Sequence, residues 1–543
     1  MVHPRLLTIA NTYIKEFCQT YPLYAVEYGF SEFYPNLSYP TEAQETSFVI
    51  FLDSLLSEVK SVNDKLDPID KIDKEALVYI FRDTSFYLRM HPYDEKNLIP
   101  SQIILHGVHE ILQLQHLSMQ KQSEYILSRL AQSSSWFDDL RSTWKHATLL
   151  ALEDAILQLE NLRVSLSQML KPLLETNSSV QSQIRNLILR LDEKGKTFAE
   201  WLEQEVKPIT TIVCKPLGQI KYQQLLEIRQ EGHSWSKRLK IGEESLKSSQ
   251  QRLQELAEKL APKEKTVKAA MTKVREDQPT APVLEEAKKN HEFLLNFMQE
   301  KELLDIPPGS IDIIEPPSWD LFWGEGMAGI IMKEILTATP LIQLIIAPPT
   351  SAKGKADLNR SSIMLAVAHE GVAGHMSSFL LTKQRNNLIR QLVSSGTGID
   401  DRWTFYWEEV LNQYGVKPDL RYAFFVETRK YWCALRTICD VKLHCGLMTF
   451  DECVNFLEIE GDVSPIMAKA YAKAILQIPG YFSSFIVGKN RLFKLREHVK
   501  ASLGLIFSLK LFHQWVGEAG PIPYHLLKKE IDVRIKKILR NYR

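Results

Sequence analysis

The sequence predicts a mainly α fold: a large multi-helix protein with a small β-sheet next to the helix that carries a candidate metal site. Apolar residues recur with the 3.6-residue period of a helix up to about residue 300, and again from about residue 361 to the end. Between these regions, prolines at 307–308, 316–317 and 348–349 bound two short runs rich in β-branched residues. Such runs predict strands, which the prolines confine to the edges or ends of a sheet.

The chain divides into two halves, which we expect to form one continuous unit that encloses a cleft. Residues 1–300 predict a helical scaffold half, which includes long amphipathic segments at 147–174 and 180–206 and a charged helix pair at 243–276, interrupted by Pro262. Residues 301–543 predict the half that holds the metal site, with the strands first and a helix from about residue 361 directly behind them.

Composition and charge exclude several classes of protein. The 543 residues are 45% apolar and 24% charged, as in ordinary globular proteins, and Lys+Arg and Asp+Glu balance at 66 each, so no nucleic-acid partner is expected. No apolar run reaches the roughly 18 residues of a membrane span, and the N-terminal segment lacks the apolar centre of a signal peptide. The six cysteines match no C-x-x-C metal spacing. We therefore expect a cytoplasmic protein with reduced thiols and no membrane partner.

The stretch AVAHEGVAGHM, residues 366–376, is the first pattern that indicates chemistry. His369 and His375 are six residues apart, whereas two histidines that bind one zinc ion from a regular helix are four apart. At about 100° per residue, the longer interval puts the rings roughly 120° apart, so a bend at Gly371 or Gly374 is needed. Glu370 is placed to take a proton from a metal-bound water. The alternative is a His-Glu pair on a helix surface.

Three polar residues lie on one face of a later helix. Arg436, Asp440 and His444 are spaced by four, which places them within about 80° of one another on an otherwise apolar helix. We interpret this stripe as the lining of a cavity. An ion-pair ladder on a solvated helix face is the alternative.

A carboxylate beyond the His-Glu pair is a candidate third metal ligand. Asp401 and Glu408 are seven residues apart and share a helix face, with Trp403 and Tyr406 close by. Zinc hydrolases typically combine two histidines and one acid with an open position for water, so Asp401 would complete such a set. The alternative for Asp400 or Asp401 is a helix N-cap.

These motifs resemble those of the family called domain of unknown function 885, whose pattern is H-E-x-x-P-G-H-H, E-G-W-A-L-Y-A-E, R-x-x-x-D-x-x-x-H and P-G-Q-x-x-x-Y-x-x-G. The chain has HEGVAGHM, DRWTFYWE, RTICDVKLH and PGYFSSFIVG in the same order, and the similarity extends over nearly its whole length. The resemblance implies a zinc metallopeptidase of largely helical fold, in which the six-residue histidine spacing is normal.

The resemblance also implies roles for individual residues. It implies that Zn²⁺ is held by His369, His375 and Asp401. The implied catalytic residues are Glu370 as the base, Tyr406, and His444 or Arg436 toward the oxyanion or a substrate carboxylate. Residues expected to contact these groups or the substrate are Glu408, Asp440, Trp403 and Tyr481.

The chain departs from the family pattern at several positions, which marks it as a divergent member. Asp401 stands where the family has Glu, and its shorter side chain must come closer to bind a metal. Met376 and Ala373 replace a His and a Pro, and Tyr481 replaces a Gln. Phe485 stands where a Tyr would hydrogen-bond the developing oxyanion.

We therefore expect a zinc-dependent hydrolase of a peptide or other amide bond, in which metal-activated water attacks the carbonyl and Glu370 is the general base. One alternative is a metal-dependent enzyme of specialised small-molecule biosynthesis. Another is a non-catalytic descendant that binds a peptide. The expected partner is a peptide or small amide substrate, and the sequence predicts no particular oligomeric state.

Overall fold

The computed structural model of the chain describes residues 2–62, 65–90, 99–144, 146–175, 179–229, 232–309, 311–320, 322–324, 326–393 and 400–541. These residues form mostly α-helices and one small sheet, so the predicted mainly α fold is confirmed. The elements also follow the predicted order, with helices before the sheet and more helices after it.

Helices make up the regular structure of the scaffold half. The predicted charged helix pair is present and breaks around Pro262, and each of its members begins at a hydroxyl N-cap, Ser234 or Thr266. In chain order the helices are α1 (Pro4–Thr20), α2 (Ala25–Tyr28), α3 (Glu42–Ser61), α4 (Pro68–Met90), α5 (Pro100–Gln113), α6 (Met119–Ser133), α7 (Leu140–Trp144), α8 (Leu149–Glu160), α9 (Leu162–Met169), α10 (Lys171–Leu174), α11 (Ser179–Trp201), α12 (Gln219–Ile228), α13 (Trp235–Leu260), α14 (Val267–Arg275) and α15 (Val283–Glu300).

The sheet that follows has three strands in the order β1-β3-β2. They are β1 (Asp312–Ile314), β2 (Ala328–Lys333) and β3 (Leu341–Ile346). β3 pairs in parallel with β1 and antiparallel with β2, so it is the central strand and its prolines lie beyond its ends. The sequence pattern predicts β1 and β3 but not β2, because no proline pair bounds the AGIIMK run.

Helices resume after the sheet, and the first long one packs against β2. In the described part of the chain, no helix combines the length and the apolar character needed to span a bilayer. The helices are α16 (Ala352–Asp357), α17 (Arg360–Glu370), α18 (His375–Gln384), α19 (Leu388–Leu392), α20 (Asp401–Gln413), α21 (Leu420–His444), α22 (Phe450–Gly461), α23 (Pro465–Gln477), α24 (Tyr481–Leu503), α25 (Leu509–Ala519) and α26 (Tyr524–Asn541).

One hydrophobic core contains residues of both predicted halves, from Leu6 of α1 to Val367 of α17, both fully enclosed. A buried ion cluster adds to this connection. Arg390 of α19 lies 2.6 Å from Asp73 of α4 and 3.0 Å from Glu530 of α26. Each ion therefore has an oppositely charged partner, as buried charges require.

Candidate metal centre

The two histidines of the first motif lie on different helices. α17 ends at Glu370, α18 begins at His375, and the residues between them form a turn. Gly374 makes this turn possible, because a Cβ atom there would lie only 1.6 Å from the carbonyl oxygen of His369. The bend that the six-residue spacing requires is therefore a complete helix break.

The break brings three potential metal ligands together. Oδ1 of Asp401 lies 3.8 Å from Nε2 of His369 and 3.9 Å from Nε2 of His375. Atoms that bind a tetrahedral zinc ion at about 2.1 Å lie ~3.4 Å apart, so the carboxylate needs to approach each imidazole by only a few tenths of an ångström. Among the described residues, these three form the one group of His, Cys, Asp and Glu side chains that converges in this way.

A carboxylate holds each imidazole on the side away from Asp401. Nδ1 of His369 lies 2.7 Å from Oε1 of Glu408, and Nδ1 of His375 lies 2.6 Å from Oδ2 of Asp400. Such partners fix the ring orientation and leave Nε2 as the metal-binding atom. Burial lowers the pKa of His375, but the hydrogen bond and charge of Asp400 outweigh it and raise this pKa to about 10.

Neither carboxylate at the start of α20 caps the helix, so that alternative is wrong. Asp400 occupies the N-cap position without a side-chain bond to the helix, and its Oδ1 accepts a hydrogen bond of 2.5 Å from the Ser378 hydroxyl. Oδ2 of Asp401 accepts a hydrogen bond of 2.9 Å from the Tyr481 hydroxyl. Burial raises the pKa of Tyr481, which stays protonated and orients Asp401. The sequence predicts only a helix cap for Asp400. Its position directly before Asp401 was the signal that could have indicated its contact with His375.

Glu370 faces open space beside the ligands. Its side chain is 17% exposed, and its Oε1 lies 4.0 Å from Nε2 of His369. Both residues line a cleft of about 270 Å³ between α17, β2, β3 and α21. A molecule in this cleft would therefore meet the carboxylate of Glu370 and the imidazole of His369 together.

Arg436 packs against aromatic residues of α24. Its guanidinium carbon lies 5.5 Å from the ring centroids of both Phe482 and Phe485, and Phe485 stacks on Phe405 at 4.9 Å. Phe485 therefore fills its position by packing and offers no hydroxyl. Burial raises the pKa of the Tyr481 hydroxyl, and the nearby charge of Arg436 opposes part of this rise.

A family model with the description "Bacterial protein of unknown function (DUF885)" matches residues 22–531. The chain belongs to the DUF885 family. The predicted family is thereby confirmed, whereas the family description assigns no activity and supports neither the zinc metallopeptidase description nor its motif. None of the curated proteins matches the chain.

Two solved structures share the fold of this DUF885 protein. One is described as a "putative lipoprotein of unknown function" from Shewanella oneidensis; it is 17% identical with a TM-score of 0.78, and the match covers 97% of this chain and 99% of that one. The other, a "putative lipoprotein" from Colwellia psychrerythraea, is 16% identical with a TM-score of 0.80, and coverage is 98% and 99%. The description of both as putative lipoproteins points to attachment of those two proteins to the cell envelope, and this contradicts the cytoplasmic location predicted for this chain.

The DUF885 motif residue His444 is enclosed in the core. Its Nε2 donates to the carbonyl oxygen of Ile475 at 3.0 Å, and its ring stacks on Tyr222 with centroids 5.6 Å apart. Burial lowers the pKa of His444, which favours the neutral ring. The predicted cavity lining is wrong at this residue, because its helix face packs against α12 and α23.

Asp440 has a supporting position in this DUF885 protein. Its two carboxylate oxygens accept hydrogen bonds from the backbone N–H groups of Gly480 at 3.0 Å and Ser483 at 2.8 Å. These bonds satisfy the first turn of α24, where a helix leaves N–H groups unpaired. Asp440 thereby fixes the turn that carries Tyr481.

Trp403 and Tyr406 belong to the core of the DUF885 fold. The Tyr406 hydroxyl lies 2.8 Å from Nε2 of His513, and Nδ1 of His513 donates to the carbonyl oxygen of Leu303 at 2.7 Å. Nε1 of Trp403 donates to the Ser377 hydroxyl at 3.2 Å. The structure therefore does not bring Tyr406 to the ligands, because its face of α20 packs on α25.

Proposed function

We propose that this protein is a zinc-dependent hydrolase of a peptide or other amide bond. The main support is the convergence of His369, His375 and Asp401, with Glu408 and Asp400 holding the two imidazoles. Two nitrogens and one carboxylate oxygen are the donor set of many catalytic zinc sites, which keep a fourth position for water or substrate. The residues present therefore fit a Zn²⁺ ion.

When bound, Zn²⁺ supplies a Lewis acid that polarises the amide carbonyl and makes water more acidic. The carboxylate of Glu370, next to His369 and open to the cleft, accepts the proton of the attacking water and passes it to the leaving nitrogen. Arg436 is the better candidate for contact with the oxyanion, because His444 is enclosed in the core.

Glu370→Gln tests this proposal. The amide keeps the size and hydrogen-bonding capacity of the side chain but removes the basic oxygen, so zinc content and fold should be kept. Hydrolysis of a dipeptide mixture, followed by chromatography, should fall by roughly 10² to 10⁴-fold. The matched control is Glu276→Gln, an exposed carboxylate paired with Lys273 on the protein surface, which should behave as the wild type.

Metal analysis provides the second measurement. A native preparation should carry about one zinc per chain, and His369→Ala or His375→Ala should lose it. Full zinc in both variants would exclude these residues as ligands. Little zinc in the native protein, together with peptide binding but no hydrolysis, would favour the non-catalytic descendant.

A further inference from the structure

Apolar and polar side chains both line the cleft beside the candidate ligands. Its walls include Phe425, Leu365 and Ile346, while His369 and Glu370 supply the polar groups of the proposed chemistry. Its volume of about 270 Å³ lies just below the range of typical ligand sites, which is roughly 300–1,000 Å³. This size suits one apolar residue with its amide bond better than a long peptide segment.

Arg429 of α21 is the only cation among the described residues that line this cleft. Its side chain is 35% exposed, and its hydrogen bond to Oε1 of Glu408 is long, at 3.5 Å from Nη2. Its Nε is buried without a hydrogen-bond partner among the described residues. By contrast, Asp357, which also lines the cleft, already pairs with Arg275 at 2.9 Å. Because the side chain is 35% exposed and its hydrogen bond to Glu408 is long, the guanidinium group keeps donors for a ligand, although the enclosed Nε is not one of them.

Arg429 is also close to the proposed site of chemistry. Glu408, which it approaches, is the carboxylate that holds Nδ1 of His369 at 2.7 Å. The guanidinium carbon lies 5.4 Å from the ring centroid of Phe405, and that ring lies 5.0 Å from the His369 ring. One or two residues of a substrate can therefore span the gap between a group bound to Arg429 and the proposed site of chemistry, because neighbouring Cα atoms are about 3.8 Å apart.

We propose that Arg429 binds a free carboxylate of the substrate, so that the protein acts on amides of apolar amino acids whose carboxyl group is unblocked; this inference rests on the proposed hydrolase function. A guanidinium group binds both oxygens of a carboxylate through parallel hydrogen bonds. The carboxylates of Glu370, Asp400, Asp401 and Glu408 would otherwise repel an anionic substrate, and the charge of Arg429 compensates for this. The apolar walls of the cleft take the substrate side chain.

Binding of two matched compounds tests Arg429 without any turnover. N-acetyl-leucine carries the carboxylate and N-acetyl-leucinamide does not, and calorimetry measures both, with zinc and after chelation. Arg429→Gln should weaken N-acetyl-leucine binding roughly 10 to 100-fold, as expected for a charge-assisted hydrogen bond, and change N-acetyl-leucinamide binding by less than about twofold. Arg429→Lys keeps the charge but loses the planar fork, so its affinity for N-acetyl-leucine should lie between those of the wild type and of Arg429→Gln. This second variant also tests the contact if Arg429→Gln folds poorly.

The matched control is Arg421→Gln, because Arg421 lies on the same helix, is 37% exposed and pairs with Asp419. Equal losses for both compounds would show that Arg429 acts only by holding Glu408. Equal binding of the two compounds to the wild type would show that no carboxylate site exists. A carboxylate preference that disappears on chelation would assign the contact to zinc. Each of these results would overturn the proposal.

Hydrolysis distinguishes failure of this inference from failure of the proposed function. Zinc- and Glu370-dependent cleavage of benzoyl-glycyl-leucine and its carboxamide at equal rates would refute the role of Arg429 and leave the hydrolase intact. Cleavage of neither compound, with Arg429-dependent binding of N-acetyl-leucine, would refute the hydrolase and leave the carboxylate site intact.

Discussion

Replacing Gly374 by alanine tests whether the helix break builds the candidate metal site. The new Cβ atom would lie 1.6 Å from the carbonyl oxygen of His369 and 2.4 Å from its carbonyl carbon. Real Cβ atoms essentially never approach a heavy atom more closely than 3.0 Å, so these groups must separate by more than an ångström. Both belong to the backbone, and no side-chain rotation can relieve the overlap. The turn itself must therefore open.

The expected loss is large in both stability and metal binding. We expect Gly374→Ala to lower the free energy of unfolding by about 2–4 kcal/mol, in the upper range of single substitutions. Metal sites tolerate only about 0.2 Å of error in ligand distances, so a displaced His369 should also strip most of the zinc. Urea denaturation followed by circular dichroism measures the stability, and metal analysis after gel filtration measures the zinc.

A glycine elsewhere provides the control. At Gly195 of α11 a Cβ atom would meet nothing closer than 3.5 Å, so Gly195→Ala should stabilise the protein by about 0.5–1 kcal/mol because alanine restricts the unfolded chain. If Gly374→Ala unfolds at the same urea concentration as the wild type and keeps its zinc, the turn does not place the two histidines, and the explanation of their spacing is refuted.

Two further predictions concern charge and pH. Asp400→Asn removes the charge beside His375 and should weaken zinc binding about 10 to 100-fold in a chelator competition; an unchanged affinity would mean that Asp400 does not support the ligand. Burial lowers the pKa of His513 to about 3, below the ~6.5 of an unfolded histidine. Between about pH 6.5 and 3, the unfolded chain therefore binds a proton at His513 that the folded chain does not bind. The stability from His513 is complete above about pH 6.5 and is lost as the pH falls toward 3, at up to about 1.4 kcal/mol per pH unit. Urea midpoints between about pH 7 and 5 should show this slope, which His513→Asn should reduce.

Local sequence pattern predicts much of the fold and the convergence of the three candidate metal ligands. The 3.6-residue period finds the helices, and the paired prolines find two of the three strands. The interval between His369 and His375 predicts that a helix must bend there, because a regular helix would point the rings apart. Asp401 and Glu408 share a face of α20 as predicted, and both contact the histidines.

Local pattern could not predict what each helix face meets. His444 shares a face of α21 with Arg436, but Tyr222 comes from a distant part of the chain and closes over it. Tyr406 likewise meets His513 instead of a cleft. Periodicity shows which side chains share a helix face. Whether that face lies in the core or lines a cleft depends on elements far away in the sequence. Arg429 lies outside the four motifs, so only the structure revealed its position.

The separation of the two histidines onto α17 and α18 also sets an order of events during folding. In a single-helix site the hydrogen bonds of the helix fix the ligand spacing, so the site exists as soon as the helix forms. Here α18 packs against α25, where Gly517 lets Leu381 approach so closely that a Cβ atom would meet it at 2.3 Å. We therefore expect His375 to reach its position only after α25 has been synthesised and packed. On this expectation a nascent chain that has not reached α25 would lack the assembled group of three side chains, so metal loading would be a late event that follows folding rather than starting it.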